Sequence, residues 1–282
     1  MSRTLLVTGA SGQLGRRVVM EALAAGWRVA GTYHTAPLDM PGIGWHRLDV
    51  VDRQAVERLV REVRPDAVVH TAARISGPRF WAINADGAAS VALAATSIGA
   101  RLIHMSSDAL FDGRGAPYTE ADDPCPVTPY GASKAAAETA VRAIAPAAVL
   151  VRTSLIIDDD PVDNHSRMVL DIALGRRPES LFTDEIRCPI AAPDLAAAIV
   201  ELLDRPVSGL LNTVGADALS RYELGVLIAR RHGLDPGRLP SMTLAASGLR
   251  RPGEVRLDVS RARSMLRTRL RGAREFLREE HL

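Results

Sequence analysis

Tyr130 and Lys134 bracket the segment Tyr130-Gly131-Ala132-Ser133-Lys134, four residues apart. On a helix, side chains at that spacing share a face. A free phenol titrates near about pH 10 and moves protons poorly at neutrality. A neighbouring ammonium stabilises the phenolate and lowers that value. The pair therefore suits proton transfer to or from a substrate oxygen. Lys134 is the only lysine among 35 basic residues; the rest are arginine. The arginine usage itself reads as coding bias. An ammonium has three rotatable donors that can hold ribose hydroxyls, whereas arginine is a planar fork that does not titrate usefully. An ordinary surface ion-and-phenol pair would satisfy the same spacing.

Ser106-Ser107-Asp108 follows the apolar run 101–105, which ends at Met105 and reads as a strand. Open α/β sheets bind ligands at the carboxyl ends of their strands. There the Ser107 hydroxyl can hold a substrate carbonyl beside Tyr130, although short hydroxyl residues also simply turn the chain. Thr8-Gly9-Ala10-Ser11-Gly12-Gln13-Leu14-Gly15 lies between the first strand and the first helix. Its spacing, G-x-x-G-x-x-G, lets backbone approach a pyrophosphate at a helix N-terminus. An acid at the end of the second strand would hold an adenine ribose 2′-hydroxyl and select NAD. Tyr33 and His34 stand there instead, and Arg16 and Arg17 follow the last glycine. This favours NADP(H) over NAD(H), with the two arginines as candidate 2′-phosphate ligands or plain solvated helix residues. Asp49 and Val50, after the third strand, are placed to contact adenine.

These groups need a scaffold of alternating strands and helices. Strands are expected at 3–8, 27–33, 44–48, 66–73, 101–105 and 147–152. Helices are expected at 12–25, 52–63 with Asp52 as cap, 83–98, and 129–144. Such alternation gives a Rossmann-type, doubly wound parallel α/β sheet. After Leu155 the rhythm breaks, with helices expected at 168–174, 193–203 and 221–232. The reading is a nucleotide-binding domain over 1–155 and a smaller mixed C-terminal substrate lobe over 156–282. The stretch 186–205 is a candidate to return to the first domain.

Composition sets bounds. The 282 residues carry a net charge of +2 and are 47% hydrophobic and 24% charged, which excludes a general polyanion binder and suits a globular core. Cys125 and Cys188 form no disulfide framework, and no export signal opens the chain, so a cytoplasmic location is expected. No apolar run reaches a membrane span, and no zinc spacing occurs. Ten arginines fall between 250 and 278, interleaved with Val255, Leu257, Leu266, Leu270 and Phe276. A packed amphipathic helix fits that pattern better than a nucleic-acid-binding tail. Arg250 or Arg251 can instead grip a diphosphate. Asp158-Asp159-Asp160 reads as a solvated loop rather than a divalent-cation site.

With these motifs in place, the chain resembles an extended short-chain dehydrogenase/reductase of the dTDP-4-dehydrorhamnose reductase, or sugar-nucleotide-binding, family. The matching stretches are VTGASGQLG at 7–15, MSSDALFDG at 105–113, TPYGASK at 128–134, VRTS at 151–154 and RPGEVRLDVS at 251–260. The resemblance implies Ser107, Tyr130 and Lys134 as catalytic residues. It implies Gly12, Gln13, Leu14, Asp49, Val50, Ala72, Ala73 and Lys134 around the cofactor. It also implies NADPH-dependent reduction of a nucleotide-linked 4-keto-6-deoxy sugar, in a chain that can form a homodimer. Three departures fall where the family holds its sugar nucleotide: Ala109 in place of a tyrosine, Leu155 in place of an aromatic residue, and a shorter 73–84 segment. Asp108, Leu155 and Arg251 are the further candidate substrate residues. A catalytically quiet NADP-binding subunit, like the related beta subunit of methionine adenosyltransferase, and a sugar-nucleotide epimerase or dehydratase are the alternatives.

Overall fold

The computed structural model describes residues 3–278. It opens with β1 (Thr4–Thr8), whose five residues are all buried. The Gly-rich turn leads into α1 (Gln13–Ala24), then β2 (Arg28–Tyr33) and β3 (Ile43–Arg47). Helix α2 (Arg53–Val63) starts where Asp52 accepts from the Ala55 amide. Strand β4 (Ala67–His70) is shorter than expected, because the chain leaves the ladder at Thr71 to line a cleft. The expected helix over 83–98 is two pieces: a π-helical turn at Ala82–Asp86, then α3 (Gly87–Ser97). Strand β5 (Arg101–Ser107) runs two residues further than expected and carries Ser107 on its last position. Helix α4 (Pro129–Ile144) and β6 (Val149–Thr153) complete the alternation.

Next come β7 (Ile156–Ile157), α5 (Asn164–Ala173), β8 (Leu181–Phe182), β9 (Ile186–Arg187) and β10 (Ile190–Ala191). They are followed by α6 (Ala192–Leu203), β11 (Gly209–Asn212), β12 (Leu219–Ser220), α7 (Arg221–Arg231) and β13 (Ser241–Met242). The main sheet has the order β11-β6-β5-β4-β1-β2-β3 and is parallel throughout. The strand order reverses between β1 and β4, the switch point at which such sheets bind ligands. Both faces are covered. Val18 and Val19 of α1 and Leu195 and Ile199 of α6 fill one side, and Val56, Val91 and Val141 of α2, α3 and α4 fill the other. That double cover explains the nearly continuous apolar strands.

Helix α6 thus lies against the sheet, and β11 extends it as a strand the sequence reading did not assign. The remaining lobe is built on α5, α7 and three two-stranded pairs, around Val169, Ile172, Leu181, Leu224 and Ile228. Two expectations are corrected. The 250–278 tail is not one amphipathic helix; Val255 and Leu257 are buried at a strand-like two-residue spacing, with short helices at Ser260–Met265 and Ala273–Phe276. Asp158 is not solvated. It is 3% exposed, and it accepts from Arg17 Nε at 2.7 Å, tying α1 to the start of the second lobe. No described helix is long and apolar enough to cross a membrane.

Candidate active site

The glycine turn after β1 is set by close backbone approaches. Gly9 has φ +75°, and a Cβ there would sit 2.7 Å from the Ala72 amide nitrogen. A Cβ on Gly15 would sit 2.2 Å from Gly9 O. Gly9 N donates to Thr32 Oγ1 at 3.0 Å, and Thr71 Oγ1 donates to Thr8 O at 2.8 Å, fixing the turn to β2 and to the strand beyond. Helix α1 has no side-chain cap, so the first N–H groups after Gly12 remain available to an anion.

The turn opens into a cleft of about 480 Å³. Gly9, Gly12, Tyr33 and His34 line it. Asp49, Val50, Ala72 and Ala73 line it as well. Leu14 and Gly15 are buried, so only their backbone is placed for a ligand, and the Gln13 side chain donates to Ile156 O at 3.1 Å. Arg16 and Arg17 do not line the cleft. Arg17 is held by Asp158 and donates to Asp160 O at 2.7 Å; Arg16 Nη2 lies 3.9 Å from the same Asp158. Two cations that sequence reasoning missed, Arg74 and Arg79, line it instead.

The residues expected to move the proton, Ser107, Tyr130 and Lys134, are carried by β5 and α4. Thr128 Oγ1 caps α4 through the Gly131 amide at 3.1 Å, and Pro129 stands at the first helical position, which suits its fixed φ. A Cβ on Gly131 would fall 2.0 Å from Ala109 O, so α4 packs directly on the backbone after Ser107. This brings Tyr130 next to Ser107, whose hydrogen bond favours the phenolate. Burial opposes it and dominates, and with the Asp108 charge it pushes the phenol up to about 12. The lowering expected from Lys134 is not found; the groups acting on the phenol are Ser107 and Asp108. Lys134 is buried and donates from Nζ to Met105 O at 2.7 Å, one residue past the last β4–β5 pair. Burial brings its ammonium down to about 8.

Beneath it, His70 and His104 stack with centroids 5.3 Å apart. His70 Nδ1 shares a proton with Thr8 Oγ1 at 2.6 Å. Burial, assisted by the Lys134 charge, holds His70 neutral with a value of about 3. Asn84, also missed, is 1% exposed and makes three hydrogen bonds: Nδ2 to Ser133 Oγ at 2.9 Å and to Arg74 O at 2.8 Å, and Oδ1 from Arg74 N at 2.9 Å. It staples the cleft loop to α4 beside Lys134. Asn84→Ala is expected to cost about 1–3 kcal/mol of stability, read as a lower urea midpoint at unchanged slope.

Asp108 is 6% exposed, with Ser154 Oγ donating to Oδ2 at 2.5 Å and Arg187 Nε 3.7 Å away. It orients Ser107 more readily than it meets a substrate. From Asp108 a chain of charges runs outward. Arg187 Nη2 is 3.3 Å from Glu185 Oε1, and Arg251 grips Glu185 with two bonds of 2.9 Å. Arg251 and Arg221 edge a second cavity of about 410 Å³, lined by apolar Met168, Ile172, Leu181, Phe182 and Met242. Burial lowers Arg221 to about 10, and its guanidinium meets His165 Nδ1 at 3.1 Å. The lining carries two arginines, Arg221 and Arg251, and one carboxylate, Glu179, an arginine surplus that suits an anion beside an apolar group. Leu155 is half-buried and packs into the lobe core. Among the described residues, no group of three or more His, Cys, Asp or Glu could hold a metal ion.

The family model "RmlD substrate binding domain" matches residues 3–280. The chain is 31% identical over 257 residues to a dTDP-4-dehydrorhamnose reductase of Mycobacterium tuberculosis, covering 86% of this chain and 80% of that protein. A hypothetical dTDP-4-dehydrorhamnose reductase from Sulfolobus tokodaii superposes with a TM-score of 0.83 at 30% identity, covering 96% of this chain and 97% of that one. A Bacillus anthracis dTDP-4-dehydrorhamnose reductase, solved in complex with NADP, gives a TM-score of 0.83 at 24% identity, with 98% of each chain covered.

Proposed function

Because the chain belongs to the RmlD substrate binding domain family, we infer that it is an NADP(H)-dependent oxidoreductase that reduces the keto group of a nucleotide-linked 4-keto-6-deoxy sugar. The observation that carries this reading is the position of Tyr130 on α4, against Ser107 at the end of β5 and one turn from the buried Lys134. The turn at Gly9–Gly15, the uncapped helix and the acid-free end of β2 fit a phosphorylated dinucleotide. The apolar second cavity with its arginine surplus fits a base and a diphosphate.

Held by the turn at Gly9–Gly15 and by Lys134, a nicotinamide cofactor would supply the hydride that the carbonyl carbon needs. Ser107 donates a hydrogen bond to the carbonyl oxygen and polarises it. Tyr130 gives that oxygen its proton as negative charge develops there, completing the alcohol. The ammonium of Lys134, one helical turn away, stabilises the phenolate left behind, and solvent restores its proton. The neutral histidine pair keeps the lysine pocket free of a competing charge. A phenol raised to about 12 keeps its proton throughout neutrality, so Tyr130 stands in the form that can donate. The partners on this reading are small molecules, the cytoplasm supplies them, and every named site residue comes from one chain, so a homodimer would carry two such sites.

The pH dependence follows. Tyr130 stays protonated throughout neutrality, and Lys134 loses its charge as pH rises through about 8. Turnover should be level from pH 6 to 7 and fall with a one-proton slope above about 8. A flat profile to pH 10 would remove the ammonium from the mechanism. The reading as a whole is tested by following NADPH consumption against a panel of nucleotide-linked keto sugars. Turnover of at least one supports it. NADPH binding with no turnover of any, alongside stoichiometric binding of another enzyme, would make the chain a quiet cofactor-binding subunit.

A further inference from the structure

We propose that Arg79, assisted by His34, reads the adenosine 2′-phosphate of the cofactor and so sets the preference for the phosphorylated dinucleotide. The proposal rests on the reading of the 480 Å³ cleft as a dinucleotide site. The end of the second strand is where such a fold meets the adenosine ribose. Here β2 ends on Tyr33 and His34 with no carboxylate of its own, and a 2′-phosphate beside the nearby Asp49 needs a cation. The two arginines that follow the glycine turn are held elsewhere, Arg17 on Asp158 and Arg16 beside it.

Arg79 arrives from the loop after β4. Gly77 at φ +93° and Arg79 itself at φ +64° turn that loop back over the cleft, and Asn84 pins its start at Arg74. A left-handed conformation at a bulky residue is strained and persists only where the surroundings hold it. Arg79 Nη2 then lies 2.9 Å from Asp49 Oδ2. The same Asp49 accepts from the Val51 amide at 3.1 Å and feels the charge of His34 as well as that of Arg79. Arg79, Asp49 and His34 therefore form one cluster at the adenosine end of the cleft.

The Arg79–Asp49 pair is single-pronged, with side chains 54% and 32% exposed. Such a pair holds a guanidinium loosely. A phosphate offers three oxygens, accepts a two-pronged guanidinium contact and carries more charge than a carboxylate. When the phosphorylated dinucleotide binds, Arg79 exchanges Asp49 for the 2′-phosphate, and Asp49 keeps its bond to Val51.

The test is equilibrium binding of NADPH and NADH to wild type and Arg79→Ala, followed by cofactor fluorescence, with 2′,5′-ADP and 5′-AMP as competitors. Arg79→Ala should weaken NADPH and 2′,5′-ADP by about tenfold or more while moving NADH and 5′-AMP by less than about threefold. Retained NADH binding also shows that the variant folds. His34→Ala should move the same two ligands in the same direction by a smaller factor. Equal losses for phosphorylated and unphosphorylated ligands would overturn the proposal, and so would no loss for either. If wild type bound neither dinucleotide, the reading of the cleft would fall and the proposal with it.

Discussion

Tyr130→Phe should lower turnover of the keto-sugar substrate by about 10²–10⁴-fold while NADPH binds as before. The change removes one oxygen and leaves the ring on α4 against Ser107. Substrate affinity should change little, because Ser107 still meets the carbonyl oxygen and the second cavity is untouched. What is lost is the proton that must reach that oxygen as hydride arrives; the Lys134 ammonium is one turn away and is held on Met105 O. His70 and His104 are held neutral in the interior, and Asp108 is engaged by Ser154 and Arg187. Stopped-flow oxidation of enzyme-bound NADPH measures the chemical step directly. Unchanged single-turnover rates in Tyr130→Phe would move the proton donor elsewhere.

Lys134→Arg conserves charge and uses the residue the chain prefers at every other basic position. It should still cost about 10²-fold in turnover. The ammonium fits a buried site and spends one donor on Met105 O at 2.7 Å, leaving two for the cofactor ribose. A guanidinium is wider, and its fork cannot place one donor on that carbonyl without displacing β5 or α4. The helix has no slack, because Gly131 already rides on Ala109 O. The variant should also lose the alkaline fall in turnover near pH 8, since arginine stays charged there. Loss of rate with the alkaline limb retained would assign that limb to another group.

The parts legible in the sequence are those whose members lie close along the chain. The turn from Gly9 to Gly15, the cap and proline at Thr128 and Pro129, and the i,i+4 pair on α4 are each contained in a few residues, so spacing alone locates them. The parts that stayed hidden are made by distant segments. Arg17 looked like a ligand residue because nothing local shows that Asp158, far along the chain, holds it. Asn84 sits in an unremarkable apolar stretch, and only the fold brings Ser133 and the Arg74 backbone to it. Strand β11 has two strongly apolar residues, and its pairing with β6 supplies the rest. The phenol of Tyr130 shows the same limit in electrostatics. Its neighbour Lys134 is visible in sequence, whereas the burial that raises the phenol is not.

The central claim is hydride delivery to a sugar carbonyl with Tyr130 as the acid. It is tested most directly by one measurement: NMR of the product after reduction of a nucleotide-linked 4-keto-6-deoxy sugar with NADPH deuterated at the transferable position. The account predicts deuterium on the new carbinol carbon in the wild-type product, and no product in the same interval from Tyr130→Phe. Unlabelled product, or equal labelled product from both proteins, would contradict it.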